Sequence, residues 1–387
     1  MKKIAPWMML LLLTAATACN NNKGSNASDS TDTLTAPAGR WTAERAEAWY
    51  QQQGGWLAGA NYAPAYAVNE LEMWQAETFD TAAIDKELGW AQQLGFNVIR
   101  VFLHNLLWQQ DSTGMVKRMD QFLDIASRHG IGTMFVLFDG VWNPDPHTGK
   151  QPAPRPHVHN SGWVQAPGTA ALKDTANDAA LKSYVQGILT HFGNDSRVKL
   201  WDLFNEPDND NGGRFSEDPA EKYKYAFILL RKVFQWSREV NPSQPLTVAP
   251  WRRNWSDTAK MDPMDHFMFD QSDVISFHCY ETLASTQAKV QLLQRYGRPL
   301  ICSEYMARPT GSTFQNILPY FKEQHVGAIN WGFVSGKTQT IYPWDSWTKK
   351  YTAPPKVWFH DIFHEDGTPY DTAETALIRK MTGAEQQ

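Results

Sequence analysis

Met134-Phe135-Val136-Leu137-Phe138 places five large apolar residues in a row. A strand with one wet face would alternate apolar and polar residues. An unbroken run this short marks a strand covered on both faces, as parallel strands are between layers of helix. The stretch before it, 116–129, carries Met119, Phe122, Leu123 and Ile125 at helical spacing and runs into Gly130. The unit is therefore helix, glycine, buried strand.

Outward from this unit the pattern repeats. Strand-like runs fall at 57–62, 97–103, 131–138, 198–204, 245–250, 273–279, 299–304 and 326–333. Amphipathic stretches lie between or after them at 81–94, 116–129, 178–192, 219–239, 284–296, 313–324 and 371–381. Eight alternations predict an α/β chain folded as a single (β/α)8 TIM barrel over residues 41–387, with no second domain and no internal repeat. The connection 139–173 is long and holds six prolines (Pro144, Pro146, Pro152, Pro154, Pro156 and Pro167). A long irregular loop in a compact domain usually serves function, and this one leaves the C-terminal face of the barrel.

The first 40 residues have a different character. Lys2 and Lys3 precede an apolar stretch at 4–13 that is too short to span a bilayer, and small residues lead to Cys19. This looks like a bacterial lipoprotein signal: residues 1–18 removed, Cys19 lipidated. Residues 19–40 have almost no large apolar side chains and read as a flexible tether, about 25 Å across when coiled. The expected location is the bacterial cell envelope, lipid-anchored at the outer membrane or facing the periplasm, with no other membrane contact.

Composition narrows the function. A net charge of −5 across 387 residues gives no electrostatic footprint for nucleic acid. The chain is rich in Trp (17), Tyr (13) and Phe (19), whose flat faces serve a barrel core and also stack on sugar rings. Cys279 and Cys302 are read as free, buried, small apolar residues. Strict alternation points Cys302 into the barrel beside Glu304 and Cys279 outward.

Two carboxylates stand where barrel strands end and loops begin. Glu206 follows the fourth strand in Trp201-Asp202-Leu203-Phe204-Asn205-Glu206-Pro207, and Glu304 ends the seventh in Ile301-Cys302-Ser303-Glu304. Two carboxylates delivered to one cleft are what glycoside hydrolysis requires. One must stay protonated near neutral pH, and repulsion from the second carboxylate is expected to hold it so. The other must stay ionised, for which Arg100 on the second strand and Tyr280 on the sixth are candidates. Asn205 is placed to bond a sugar 2-hydroxyl. His278 and Tyr280 share a strand face, and Trp331 ends the eighth strand as a platform for a sugar ring.

This set resembles the clan A glycoside hydrolases, family 5 (the cellulase and mannanase family) most of all, over residues 55–340. The matching positions are Arg100, Asn205-Glu206-Pro207, His278, Tyr280, Glu304 and Trp331. The resemblance implies that Glu206 is the acid/base and Glu304 the nucleophile of a retaining double displacement. It also implies that Arg100, Asn205, His278, Tyr280 and Trp331 bind the sugar or tune the pair. Many relatives end the third strand with His. This chain has Phe138-Asp139-Gly140-Val141-Trp142, so Asp139 or Trp142 takes that place.

Further subsite candidates at strand ends and in loops are Asn61, His104, Asn105, Trp142, Trp163, Trp251, Trp255, Tyr305 and Trp344. No metal or other cofactor is expected. His157 and His159 lack a third ligand for zinc. Asp208-Asn209-Asp210-Asn211-Gly212 starts like a calcium loop but meets Pro219 where the bidentate Glu belongs, so it reads as a solvated acidic loop. The expected partner is a carbohydrate, in the order mannan, xylan, β-glucan, acted on by a monomer. A glycan-binding lipoprotein without catalysis and a transglycosylase with the same site are the alternatives.

Overall fold

The structure is a computed structural model that describes residues 39–252, 255 and 258–386. The signal, Cys19 and most of the tether lie outside the described residues. Eight parallel strands are present: β1 (Ala58–Asn61), β2 (Val98–Phe102), β3 (Gly132–Val136), β4 (Val198–Asn205), β5 (Leu246–Ala249), β6 (Ile275–His278), β7 (Leu300–Glu304) and β8 (Gly327–Asn330). The helices are α1 (Ala43–Gln52), α2 (Glu70–Trp74), α3 (Thr81–Gln93), α4 (Asn105–Arg128), α5 (Thr169–Lys173), α6 (Asp178–Phe192), α7 (Lys222–Val240), α8 (Pro263–Gln271), α9 (Leu283–Leu293), α10 (Phe314–Glu323) and α11 (Thr372–Thr382).

The strands run side by side in the order β5-β4-β3-β2-β1-β8-β7-β6, which wraps the sheet into a barrel. The seam between β5 and β6 has no regular ladder. It is closed by Asp273 N to Leu246 O at 2.8 Å, His278 N to Pro250 O at 3.2 Å and Thr247 Oγ1 to Val274 O at 2.8 Å. The fold is the (β/α)8 TIM barrel expected from the alternation.

Strand residues alternate between two cores. Ile99, Val101, Phe135, Leu137, Trp201 and Leu203 pack outward in the main core, which also holds the buried faces of the helices. Val98, Met134, Leu200, Val274, Ile301 and Ile329 form a separate cluster with Trp41, Ala46, Trp49 and Tyr50, so α1 plugs the N-terminal end of the barrel. Helix starts follow local chemistry: Asp80 accepts from Ala82 N and Ala83 N, and Asp262 caps α8, which has Pro263 at its first position.

Several details differ from the sequence reading. The elements α1, α2, α5 and α8 were not anticipated. The helix expected at 116–129 begins at Asn105, with a kink at Asp111. Cys279 and Cys302 are free and buried, but Cys302 faces outward into the main core together with Cys279. The physical reason is a register shift. Phe277 pairs with Cys302 and His278 pairs with Glu304, so Ser303 is an extra residue in β7. Without it Glu304 would share Cys302's outward side. A similar shift in β4, between Asp202 and Asn205, re-aims Asn205 inward.

Candidate active site

Both strands that deliver a glutamate carry such an irregularity, and both glutamates reach the C-terminal mouth of the barrel. Glu206 sits just past β4 with φ of +46°. Gly140 lies against it: a Cβ there would stand 2.3 Å from Glu206 O, so the chain leaving β3 can pass this close only as glycine.

Arg100 organises the site from beneath. It is fully buried, and every guanidinium nitrogen has a partner. Nη2 donates to Asp202 Oδ2 (2.7 Å) and Asn205 Oδ1 (2.6 Å), and Nε donates to Asp202 Oδ2 (3.1 Å). Nη1 donates to Asn61 Oδ1 (2.7 Å) and Glu304 Oε1 (2.8 Å). One buried cation thus faces two carboxylates. Asn61 is itself fixed by Nδ2 bonds to Ser303 O and Asn330 O. Asn205 donates to Asp139 Oδ1 at 2.8 Å, and Trp163 Nε1 donates to Asp139 Oδ2 at 2.7 Å. Asn205 keeps a second amide N–H beyond the one given to Asp139.

The two glutamates have different surroundings. Glu304 Oε2 accepts from the Tyr280 hydroxyl at 2.6 Å, while Oε1 accepts from Arg100. Glu206 Oε1 meets His278 Nδ1 at 2.7 Å, and Oε2 accepts from Asn209 Nδ2 at 2.6 Å. Burial pushes Glu206 up to about 7, against the lowering influence of Asn209 and nearby cations. Burial also raises Glu304, opposed by His278, Arg100 and Tyr280. The charge repulsion expected to hold Glu206 protonated is not its leading cause; burial is. One oxygen of each glutamate and one nitrogen of His278 all lie within 4.8 Å of one another. Retaining glycosidases place their carboxyl groups about 5–5.5 Å apart, whereas inverting ones leave about 6.5–9.5 Å for a water.

His278 is neutral at pH 7, since burial lowers it to about 4. Its Nε2 is buried and has no partner among the described residues. An unpartnered lone pair is tolerated better than an unpartnered N–H, which places the proton on Nδ1 facing Glu206. The same Nδ1 lies 3.5 Å from Glu304 Oε2.

The cleft holds about 830 Å³ of open space above the two glutamates. Trp142, Asn205, Trp251, Tyr280, Trp331 and Trp344 line it. Trp331 is braced edge-on by Phe102 (5.8 Å) and Trp163 (5.9 Å). Trp251 and Trp344 both pack edge-on against Tyr280.

The other sequence candidates stand elsewhere. Arg100, His278, Asn61 and Asp139 are buried behind the cleft wall and act on the residues that line it. His104 is a correction: it caps α4, accepting from Leu106 N, and its Nε2 meets Gln165 O, so it does not reach the cleft. Asn105 is buried with it. Tyr305 turns outward and packs on Phe314 and Phe321. Trp163 supports Trp331 from behind, and Trp255 packs on Phe269 beside a neighbouring groove.

Several cleft residues had escaped the reading. The loop after Glu206 is only partly solvated: Asp210 and Gly212 are exposed, but Asp208, Asn209 and Asn211 are buried. Asp208 is buried and accepts from Trp251 N and Arg252 N, Asn209 holds Glu206, and Asn211 bonds Trp142 O and Asp218. Asn160 and Arg214 also line the cleft. So does His159, whose Nδ1 meets Tyr342 O at 2.8 Å. His157 Nδ1 meets the Tyr342 hydroxyl. The Asn-rich stretch 205–211 was the one visible signal.

Comparison with known proteins agrees with this geometry. Residues 60–337 match the sequence model described as Cellulase (glycosyl hydrolase family 5). No curated protein matches the chain by sequence. Similar folds include an exo-beta-1,4-mannosidase from Opitutaceae bacterium strain TAV5, 19% identical with a TM-score of 0.55 over 85% of this chain and 59% of that one. A GH5_18 protein from Streptomyces cattleya in complex with Manb1-4GlcNAc is 15% identical, with a TM-score of 0.55 over 84% of this chain and 80% of that one. An endo-beta-1,4-mannanase from Thermotoga petrophila is 13% identical, with a TM-score of 0.52 over 84% and 76%. At these identities the likeness speaks for the fold alone. The chain spans 59% of the Opitutaceae protein's length.

Proposed function

The chain belongs to glycosyl hydrolase family 5 and is an O-glycosyl hydrolase; from that premise we propose that it cleaves β-glycosidic bonds with retention of configuration, β-mannosides foremost. The observation that carries the proposal is the carboxylate pair, with one oxygen of each within 4.8 Å of the other and each carboxyl held by different partners. The group held near 7 suits an acid, and the one held by Arg100 and Tyr280 suits a nucleophile.

In the first step a Glu304 oxygen attacks the anomeric carbon while Glu206 gives its proton to the leaving oxygen. The C–O bond to the leaving group breaks, the bond to Glu304 forms, and Glu206 is left ionised. In the second step Glu206 takes a proton from water, whose oxygen attacks the same carbon and displaces Glu304. Two inversions give retention. Tyr280 and Arg100 hold the Glu304 charge before attack and receive it again on release. Asn205 offers its free N–H to a sugar hydroxyl, and Trp331 offers its ring to the sugar face.

The mannoside reading draws support from the names of the three similar folds above, each of which carries a mannose-specific word or ligand. Xylan and β-glucan are the next substrates to test. Purified residues 40–387 would be assayed on mannan, xylan, glucan and aryl β-glycosides, with Glu304→Gln as control. Turnover lost in the variant supports the reading. NMR that finds the inverted anomer as first product would sink the retaining mechanism.

We also propose, from the sequence of residues 2–40, that the enzyme is tethered to the cell envelope through Cys19. Radiolabelled palmitate entering the wild type but not Cys19→Ala would support this. Equal labelling would refute it.

A further inference from the structure

The loops after β3 and β8 are tied to each other by a dense set of bonds. In the barrel β3 and β8 are separated by β2 and β1. The loops that follow β3 and β8 nevertheless meet above that sector. Asn160 N donates to Thr338 O (2.7 Å), and His157 N donates to Gln339 Oε1 (2.8 Å). Gln339 Nε2 donates back to Arg155 O (2.8 Å), and His159 N donates to Ser346 Oγ (2.9 Å). Trp142 stacks on Trp347 with centroids 5.4 Å apart, and Arg155 lies 4.2 Å over the same ring. The loop after β1 supports the junction from below, through Lys337 N to Ala65 O (3.0 Å) and Asn69 Nδ2 to Gly162 O (2.9 Å).

This strap roofs the β1–β2 sector. Behind Trp331 the space shrinks to a chamber of about 310 Å³ between buried Phe102, Trp163, Phe333 and Thr340. Neither glutamate lines that chamber. Among the described residues the cleft continues on the opposite side. Trp251, Arg252, Tyr280 and Trp344 wall both the catalytic cleft and a groove with about 1320 Å³ of open space that runs on past Glu281 and Ser285. Among the described residues the cleft therefore has a blind end, at Trp331, His159 and Asn160, and a mouth, at Trp251 and Arg252.

Chemistry orients the substrate in this cleft. The acid must face the leaving oxygen, and the nucleophile must face the anomeric carbon. Trp331, the ring platform at the blind end, follows β8, the strand next to the one that ends in Glu304, and lines the cleft with it. With the sugar that becomes bonded to Glu304 seated on Trp331, that sugar lies at the blind end and the leaving group points out of the mouth.

We infer that the enzyme acts from the non-reducing end of its glycan, releasing the terminal sugar, because the strap leaves no path for a chain beyond it. His159 and Asn160, which belong to the strap and line the cleft, meet that terminal sugar. The inference rests on the glycosidase reading proposed above.

The test uses the whole catalytic unit with β-1,4-linked mannose, glucose and xylose hexamers labelled at the reducing end. The expected first products are free monosaccharide and labelled pentamer. A hexamer blocked at its non-reducing terminal 4-hydroxyl is expected to resist. Early labelled dimers, trimers or tetramers, or cleavage of the blocked chain, would overturn end-wise action while leaving the glycosidase reading standing, provided Glu304→Gln is inactive. No cleavage of any hexamer or aryl glycoside would remove both. Replacing 147–158 by a short Gly-Ser link is expected to open the blind end and produce internal cleavage. A folded variant with unchanged product lengths would show that the strap does not set them.

Discussion

Asn209 Nδ2 donates to Glu206 Oε2 at 2.6 Å, and its own Oδ1 accepts from Asn211 N at 2.8 Å. The second bond fixes which end of the amide faces the glutamate, so Asn209 can only donate. A donor to a carboxyl favours the charged form, and Asn209 is the largest influence holding Glu206 down against burial. Asn209→Leu is therefore expected to raise the acid's pKa above its present value of about 7. The alkaline limb of the kcat/KM profile should move up by about one to two pH units. The acid limb should stay in place. An alkaline limb that does not move would leave Asn209 with a packing role only.

Tyr280 acts on the other carboxylate. Its hydroxyl donates to Glu304 Oε2 at 2.6 Å, and that bond lowers the Glu304 pKa against burial. Tyr280→Phe removes the donor and keeps the ring that packs on Trp251 and Trp344. The nucleophile then takes up a proton at higher pH, so the acid limb of kcat/KM should rise while the alkaline limb holds. Turnover at the optimum should fall on the order of 10–100-fold. A fall in turnover with both limbs unmoved would mean that the hydroxyl serves substrate binding, not the charge of Glu304.

Asp202 holds Arg100 through two nitrogens, and both side chains are fully buried. Breaking one member of a buried pair leaves an uncompensated charge, at a cost of about 3–5 kcal/mol. Asp202→Asn is expected to lose roughly that much stability in urea unfolding, and activity with it, because the guanidinium no longer sits square to Glu304. The exposed pair Lys182–Glu239 offers the contrast. Lys182→Ala should leave the unfolding midpoint essentially unchanged.

The eight strands could be read from sequence because burial on both faces leaves short apolar runs, which their length and the glycines before them separate from helices. The same logic places Glu206, Glu304 and Trp331, which are tied to strand ends, and Arg100, in the middle of β2. It fails where one residue is inserted. Strict alternation puts Cys302 inside the barrel, and the extra Ser303 turns Cys302 out and Glu304 in. Nothing in a single sequence announces such a bulge. Asn209, His159 and Asn160 were missed for another reason. They come from loops whose path is set by distant partners such as Tyr342, Ser346 and Thr338. His104 misled because a strand-end His reads as a ligand until its two ring nitrogens are seen bonded to backbone. The helix α1 does carry a signal, with Thr42 as cap and Ala46, Trp49 and Tyr50 at helical spacing. Its role as the barrel's plug appears only with the strands in place.

Buried carboxyls and histidines together predict how stability follows pH. Burial raises Glu87, Glu206, Asp208 and Asp361 to about 7 and Asp139 to about 8. Unfolded, these groups titrate near 4, so above that pH the folded state holds more protons. Stability from them is full below the unfolded values and is lost as pH rises through 7 to 8. Burial lowers His104 to about 3 and His159 and His278 to about 4. Their contribution is full above the unfolded value near 6.5 and is lost as pH falls through 4. Between pH 6.5 and 8.5 each histidine adds back only about 0.4 kcal/mol as its unfolded form loses the last of its proton, while each carboxyl removes on the order of 1 kcal/mol. The melting temperature of residues 40–387 should therefore fall by several degrees across that window. The fall should be smaller in Asp139→Asn, which no longer has that charge to bury. A flat or rising melting temperature from pH 6.5 to 8.5 would mean that these carboxyls are ionised and compensated in the folded protein.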